Sequence, residues 1–169
     1  MTPTLESLAT AIWERLQRFE LDDPEAAFSF SDRLARENDW TKEHALRAIA
    51  EYKRFLLLLC VAGHPCTPSD AVDQVWHLHL LYTESYWREL CGEVLRRELH
   101  HGPTRGGAAE AARYGSAYEA TLASYRRLFE EEPPLDLWPP ARERFRAARF
   151  VRVDRARTWC IPRFSRWFR

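Results

Sequence analysis

A helical stretch that is apolar on every side cannot sit at a protein surface, and residues 56–60, within a helix expected over 42–62, read as such a stretch. Ala45, Leu46, Ile49, Tyr52, Leu56 and Leu59 recur at helical spacing, and positions 56–60 leave no polar face. Other elements must therefore surround it. Thr41 precedes it as an N-cap, while Gly63 and Pro65 stop it.

The rest of the chain supplies candidates for that envelope. Thr2 and Pro3 look like an N-cap followed by proline at the first helical position, after which Leu5, Leu8, Ile12, Leu16 and Phe19 follow a helical period to about Leu21. Beyond Asp22, Asp23 and Pro24, a short helix carries Phe30 and Leu34 to about Asn38, with Trp40 at a turn. Thr67-Pro68-Ser69-Asp70 is close to a capping box, so a further helix is expected to start at Pro68. Another is expected over 108–132, with Ala112, Tyr118, Leu122, Tyr125 and Leu128 or Phe129 inward. Pro133-Pro134 and Pro139-Pro140 bracket a segment that reads as rigid and extended, holding Leu135, Leu137 and Trp138. Residues 150–153 and 158–161 read as short strands or an extended wrap. The expected fold is mainly α: a single-domain bundle of five or six helices over 1–140, with an irregular, basic C-terminal arm over 141–169.

Length and composition agree with one folded unit. A chain of 169 residues can bury a substantial core, and 7 Trp, 9 Phe and 6 Tyr are foreign to disordered sequences. No stretch approaches the ~18 apolar residues of a membrane span, and the N-terminus lacks the order of a signal peptide. The expected location is the cytoplasm, where Cys60, Cys66, Cys91 and Cys160, which lack C-x-x-C spacing, read as reduced thiols. The zero net charge hides an asymmetry: 141–169 holds ten Arg against Glu143 and Asp154, about +8, so 1–140 carries about −8. Arm and body attract each other.

Chemistry concentrates between Ser69 and Pro103, where four of the six histidines fall. Asp73 and His77, four apart, share a helix face and can bind one ion or act as ligand and orienting carboxylate. His79 is about 200° around the helix from His77, so a regular helix cannot bring both to one ion. Zinc takes three or four protein ligands, and the extra candidates are His100 and His101. In an unbroken helix these would stand about 35 Å from His77. Metal binding therefore demands a chain reversal, for which Gly92 is placed as a helix C-cap. His79, Tyr82, Glu84, Tyr86 and Cys91 are the supporting residues expected nearby. The same residues also suit a buried polar network or a metal-free catalytic site, and spacing leaves all three open. His44 and His64 read as ordinary surface residues.

The segments F-S-F-S-D-R-L-A-R-E-N-D-W (28–40), E-Y-K-R-F-L (51–56), G-H-P-C-T-P-S-D-A-V-D-Q-V-W-H-L-H-L (63–80), Y-T-E-S-Y-W-R-E-L-C (82–91), L-H-H-G-P-T-R-G-G (99–107) and D-L-W-P-P (136–140) carry a resemblance. On them the chain resembles an uncharacterised bacterial family related to the N-terminal region of plant glycine-rich domain proteins. The resemblance implies that the W-H-x-H-L and L-H-H-x-P-T segments belong to one module, and it brings no activity. With only 6 Gly the chain has no glycine-rich tract, so nothing tied to such a tract carries over.

Two further features carry weaker signals. Thr104-Arg105-Gly106-Gly107 before a helix could hold an anion through Arg105, but it lacks the Lys-Ser/Thr of a P-loop. The arm interleaves arginine with aromatic residues, and Arg163, Arg166 and Arg169 could contact a partner; a protein is expected ahead of nucleic acid or a membrane surface. The leading expectation is a divalent metal, zinc first, on Asp73, His77, His100 and His101. If the site is catalytic, a metal-activated water with Asp73 or Glu84 as base is the simplest scheme. The alternative is a non-catalytic adaptor whose histidine network supports a helical core and whose basic tail meets a partner.

Overall fold

The computed structural model describes residues 4–102, 107–146, 157 and 159. Among them the regular structure is helical, with no strand: α1 (Leu5–Arg18), α2 (Phe30–Asn38), α3 (Lys42–Val61), α4 (Asp70–Leu81), a π-helix (Glu84–Leu95), α5 (Ala108–Phe129) and the one-turn α6 (Ala141–Arg144). The mainly α class agrees with the helical periodicity. Seven elements stand among the described residues because the motif helix divides in two and a single turn opens the arm. The segments expected at 150–153 and 158–161 lie, Trp159 aside, outside the described residues.

Hydroxyl caps set the starts of the first four helices. Thr4 accepts from the Ser7 N–H, Ser29 from Asp32, Thr41 from His44 and Ser69 from Val72, each satisfying a donor that the first turn leaves free. The capping role expected of Thr67 thus belongs to Ser69, and α4 opens at Asp70 instead of Pro68. The Thr67 N–H is engaged elsewhere, donating to Thr121 Oγ1 on α5 at 2.9 Å.

α3 is the central element and packs against α1, α2, α4 and α5. Ala45, Ala48, Tyr52, Phe55 and Leu56 are wholly buried, whereas Leu46 is exposed. One acid interrupts this apolar surface. Glu51 is buried and accepts from Trp138 Nε1 at 2.8 Å and Tyr125 Oη at 3.3 Å, so a satisfied carboxylate ties α5 and the 133–140 segment to α3. That segment turns back on itself instead of running extended, the Trp138 N–H bonding Pro134 O at 2.7 Å. Leu137 and Trp138 thereby enter the core and Leu135 stays outside.

The chain reverses after α4, although not where the glycine suggested. α4 ends at Tyr82 (φ −88°, ψ 66°), and the π-helix ends at Arg96 in the left-handed region (φ 54°). The N–H groups of Arg96 and Arg97 both return to the Cys91 carbonyl, closing the end much as a Schellman motif does. Gly92 lies inside the π-helix. Its buried residues, Tyr86, Leu90, Cys91 and Leu95, step by four or five, which fits the wider i→i+5 turn. Arg15 Nε of α1 donates to Val94 O at 2.5 Å and anchors its far end.

Residues 97–102 then run back toward α4, held by one buried hydroxyl. Tyr86 Oη donates to Leu99 O at 2.6 Å and accepts from Trp76 Nε1 at 2.9 Å. Replacing that hydroxyl leaves two buried groups without partners, each costing about 1–3 kcal/mol. Tyr86→Phe is therefore expected to lower the unfolding free energy by roughly 2–4 kcal/mol in urea with the slope unchanged. A loss below about 0.5 kcal/mol would show that this tie is not needed.

His79 supplies a second test. It is fully buried among Phe19, Phe30, Tyr52 and Tyr86, with Nδ1 3.1 Å from Tyr52 Oη and Nε2 3.3 Å from Ser85 Oγ. Burial disfavours the imidazolium and pushes its pKa down to about 4. Because the folded value lies below the unfolded one of about 6.5, the contribution is complete above pH 6.5 and is lost as pH falls toward 4. Its size over that window is on the order of 3 kcal/mol. Denaturation curves between pH 7 and pH 4 should show this loss, and His79→Gln should remove it; an unchanged slope in that variant would assign the loss to other groups.

Candidate functional site

The reversal leaves three of the four expected ligands, Asp73, His77 and His101, close together. α4 places Asp73 and His77 one turn apart, and the returning segment delivers His101 beside them. Asp73 Oδ1 lies 2.8 Å from His101 Nε2 and 3.8 Å from His77 Nε2, and the three atoms all fall within 4.8 Å of one another. Ligands around a tetrahedral ion at ~2.1 Å stand about 3.4 Å apart.

Each side chain is positioned by a separate device. The His101 ring meets the Trp76 ring edge-on at 4.5 Å between centroids and the His77 ring at 4.6 Å. Trp76 is itself held by Tyr86, so one hydrogen-bonded pair fixes both the backbone at Leu99 and the wall behind His101. Asp73 and His101 are largely enclosed, at 17% and 18% exposure, whereas His77 is 49% exposed. The cluster is therefore open to solvent on the His77 side.

The other carboxylate oxygen of Asp73 faces a cation. Arg144 on α6 approaches Asp73 Oδ2 at 3.5 Å and Asp70 Oδ1 at 3.6 Å, and its Nε donates to Pro68 O at 3.1 Å. Nothing in the motif pointed to this residue. The only signal was the opposite charge of arm and body. Beside it lies a cavity of about 670 Å³ with Trp40, His44, Asp70, Asp136, Glu143 and Phe145 among its walls.

The remaining expected residues are placed apart from this cluster. His100 is 75% exposed, 3.5 Å from Glu98, with its ring 5.5 Å from that of Trp87. His79 is sealed in the core, as its opposite position on the helix requires. Tyr82 packs its ring on Phe30 at 5.2 Å, and Glu84 is exposed and paired with Arg88 at 3.0 Å. Tyr86 acts as a support, its hydroxyl pushed up to about 12 by burial. Burial likewise raises the Cys91 thiol, which is the wrong direction for a nucleophile. Arg105, Arg163, Arg166 and Arg169 lie outside the described residues.

Neither of the two histidines read as ordinary is free. His44 packs on Trp40 with ring centroids 4.8 Å apart and stands 4.0 Å from Asp136. His64 Nε2 is 2.7 Å from Ser124 Oγ on α5, and its Nδ1 is 2.9 Å from Pro65 O. The loop histidine thus fastens the α3–α4 connection to α5.

Glycine-rich domain-containing protein 2 of Arabidopsis thaliana is 27% identical over 89 residues, which amount to 48% of this chain and 11% of that protein. The chain thus corresponds to a small part of its plant relative. No solved structure matches. The model of the UCP032817-like family matches residues 19–116, more than half of the chain and all three clustered residues, but not Arg144. The chain belongs to the UCP032817-like family.

Proposed function

We propose that Asp73, His77 and His101 bind a divalent transition metal, zinc first, through Asp73 Oδ1 and the two Nε2 atoms. The observation that carries this reading is the convergence of those three atoms within 4.8 Å from segments 24 residues or more apart in the chain, with one side open. Structural zinc sites are closed by four protein ligands, while three ligands and an open position characterise catalytic ones. The same two-histidine, one-carboxylate set also suits ferrous iron, which makes metal identity part of the test. A divalent ion in such a site supplies Lewis-acid activation of water. The chain's own contribution is to hold the His101 imidazole against Trp76 and the His77 ring against His101, and to leave access along His77. His100, expected as a fourth ligand, belongs on the rim in this reading. Cytoplasmic residence completes the proposal, with Cys60, Cys66 and Cys91 as free thiols.

A second reading is favoured by Arg144. Asp73 already has two basic partners, His101 and Arg144, so the cluster can serve as the polar network that docks the arm of 141–169 onto the helical domain of 1–140. The protein is then a non-catalytic adaptor that presents its remaining arginines to a protein partner.

Metal analysis of untagged protein separates the two. The first reading expects close to one equivalent of zinc or iron, a melting temperature that rises with added zinc, and affinity losses of roughly 10–100-fold in His77→Ala and His101→Ala. His100→Ala should bind within about threefold of the parent, since its imidazole stands on Glu98. Less than about 0.1 equivalents of any transition metal, with melting indifferent to zinc, would leave the network reading in its place.

A further inference from the structure

We infer that Arg144 is an ion-sensitive tether: a divalent ion on Asp73, His77 and His101 loosens α6 and the chain that leaves it. The inference rests on the metal reading above and adds a regulation to it. Its basis is the division of one carboxylate between two tasks. Oδ1 of Asp73 faces the imidazoles, while Oδ2 faces the Arg144 guanidinium. Both can act at once, because an ion held by Oδ1 alone leaves Oδ2 to the arginine.

Charge decides what happens to the tether. Without an ion, Arg144 is held by Asp73 at 3.5 Å, by Asp70 at 3.6 Å and by the Pro68 carbonyl at 3.1 Å. An ion about 2 Å beyond Oδ1 would lie roughly 5–6 Å from the guanidinium and would bring two positive charges. Since Coulomb energy scales as charge over distance, that repulsion slightly exceeds the attraction of the single charge on Asp73. Asp70 and the Pro68 carbonyl remain. The tether is weakened and not abolished, so the expected response is a shift in opening and not release.

α6 is suited to respond. It is one turn long, has no side-chain cap and buries none of its residues fully. Its last turn depends on a few local bonds, Phe145 N–H to Ala141 O at 3.0 Å and Arg144 N–H to Pro140 O at 3.1 Å. The adjoining 670 Å³ cavity, walled in part by Glu143, Arg144 and Arg146, gives it space to move. An ion would therefore act on the arm through Arg144, and by linkage a docked Arg144 must weaken the ion's binding by the same factor.

Hydrogen exchange on the full, untagged chain tests both directions. With saturating zinc chloride, amides 143–146 are expected to exchange several-fold faster than without it, while α3 becomes no less protected. Arg144→Gln should exchange fast in either condition and should bind zinc about two- to tenfold more tightly by calorimetry. Weaker zinc binding in Arg144→Gln would overturn the inference, because it would make the arginine a support of the site. Unchanged exchange in a parent shown to bind zinc would overturn it alone. Absence of zinc binding in the parent would overturn it together with the metal reading.

Discussion

The buried hydroxyl of Tyr86 is the point on which the arrangement of this site depends. Residues 97–102 contain no helix, so their backbone groups need partners from elsewhere if they are to lie against the protein. Tyr86 satisfies the Leu99 carbonyl and is satisfied in turn by the Trp76 indole. One residue thereby joins α4, the π-helix and the returning chain. Two residues beyond Leu99 stands His101, whose ring rests on the same Trp76. Loosening this pair would disturb the floor and the wall of the site together.

That hydroxyl reaches its place because the second half of the motif region is wound as a π-helix. In an α-helix, residues 86, 90 and 95 drift off one face; at about 4.4 residues per turn they stay on it. Tyr86, Leu90 and Leu95 are all buried, and so is Cys91 beside them. The wider winding therefore lets twelve residues present one continuous apolar stripe to α1 and α4. The break at Tyr82 has a similar logic. It lets α4 keep His79 inside an aromatic cage while the next helix turns Tyr86 toward both His79 and Trp76.

Helices with strong periodicity and a hydroxyl cap were legible from residues alone. α3 begins where Thr41 predicts, because the local signal agrees with the tertiary packing. The central place of α3 also followed: four helices pack against it, and Leu56, Leu57 and Leu58 of the run without a polar face are buried. The failures share a physical cause. Thr67 has the sequence of a cap, but the Ser69 hydroxyl takes that role two residues on, while the Thr67 N–H is bonded to Thr121, distant in the chain. Gly92 has the sequence of a helix stop, yet the stop falls at Arg96, where packing of the π-helix forces a left-handed residue without glycine. For the site, the i, i+4 spacing of Asp73 and His77 was sufficient, and so was the separation of His79. Which of the neighbours His100 and His101 turns inward was not, because adjacent residues in an irregular segment have no period to distinguish them.

Arg144 shows a different limit, and it bears on how the site and the arm are related. A single arginine among ten in a basic tail carries no spacing signal, and the attraction between tail and body is a sum that names no pair. Among the described residues one contact set of this kind is seen, in which Arg144 meets Asp70, Asp73 and the Pro68 carbonyl around the start of α4. Asp70 and Asp73 are also the acids that complement the positive end of α4, so the arginine competes with the helix for them. Asp73 is in this way shared among a helix end, two imidazoles and a guanidinium. Any change in the charge that one of these presents must be felt by the others, because all of them act through the same two oxygen atoms.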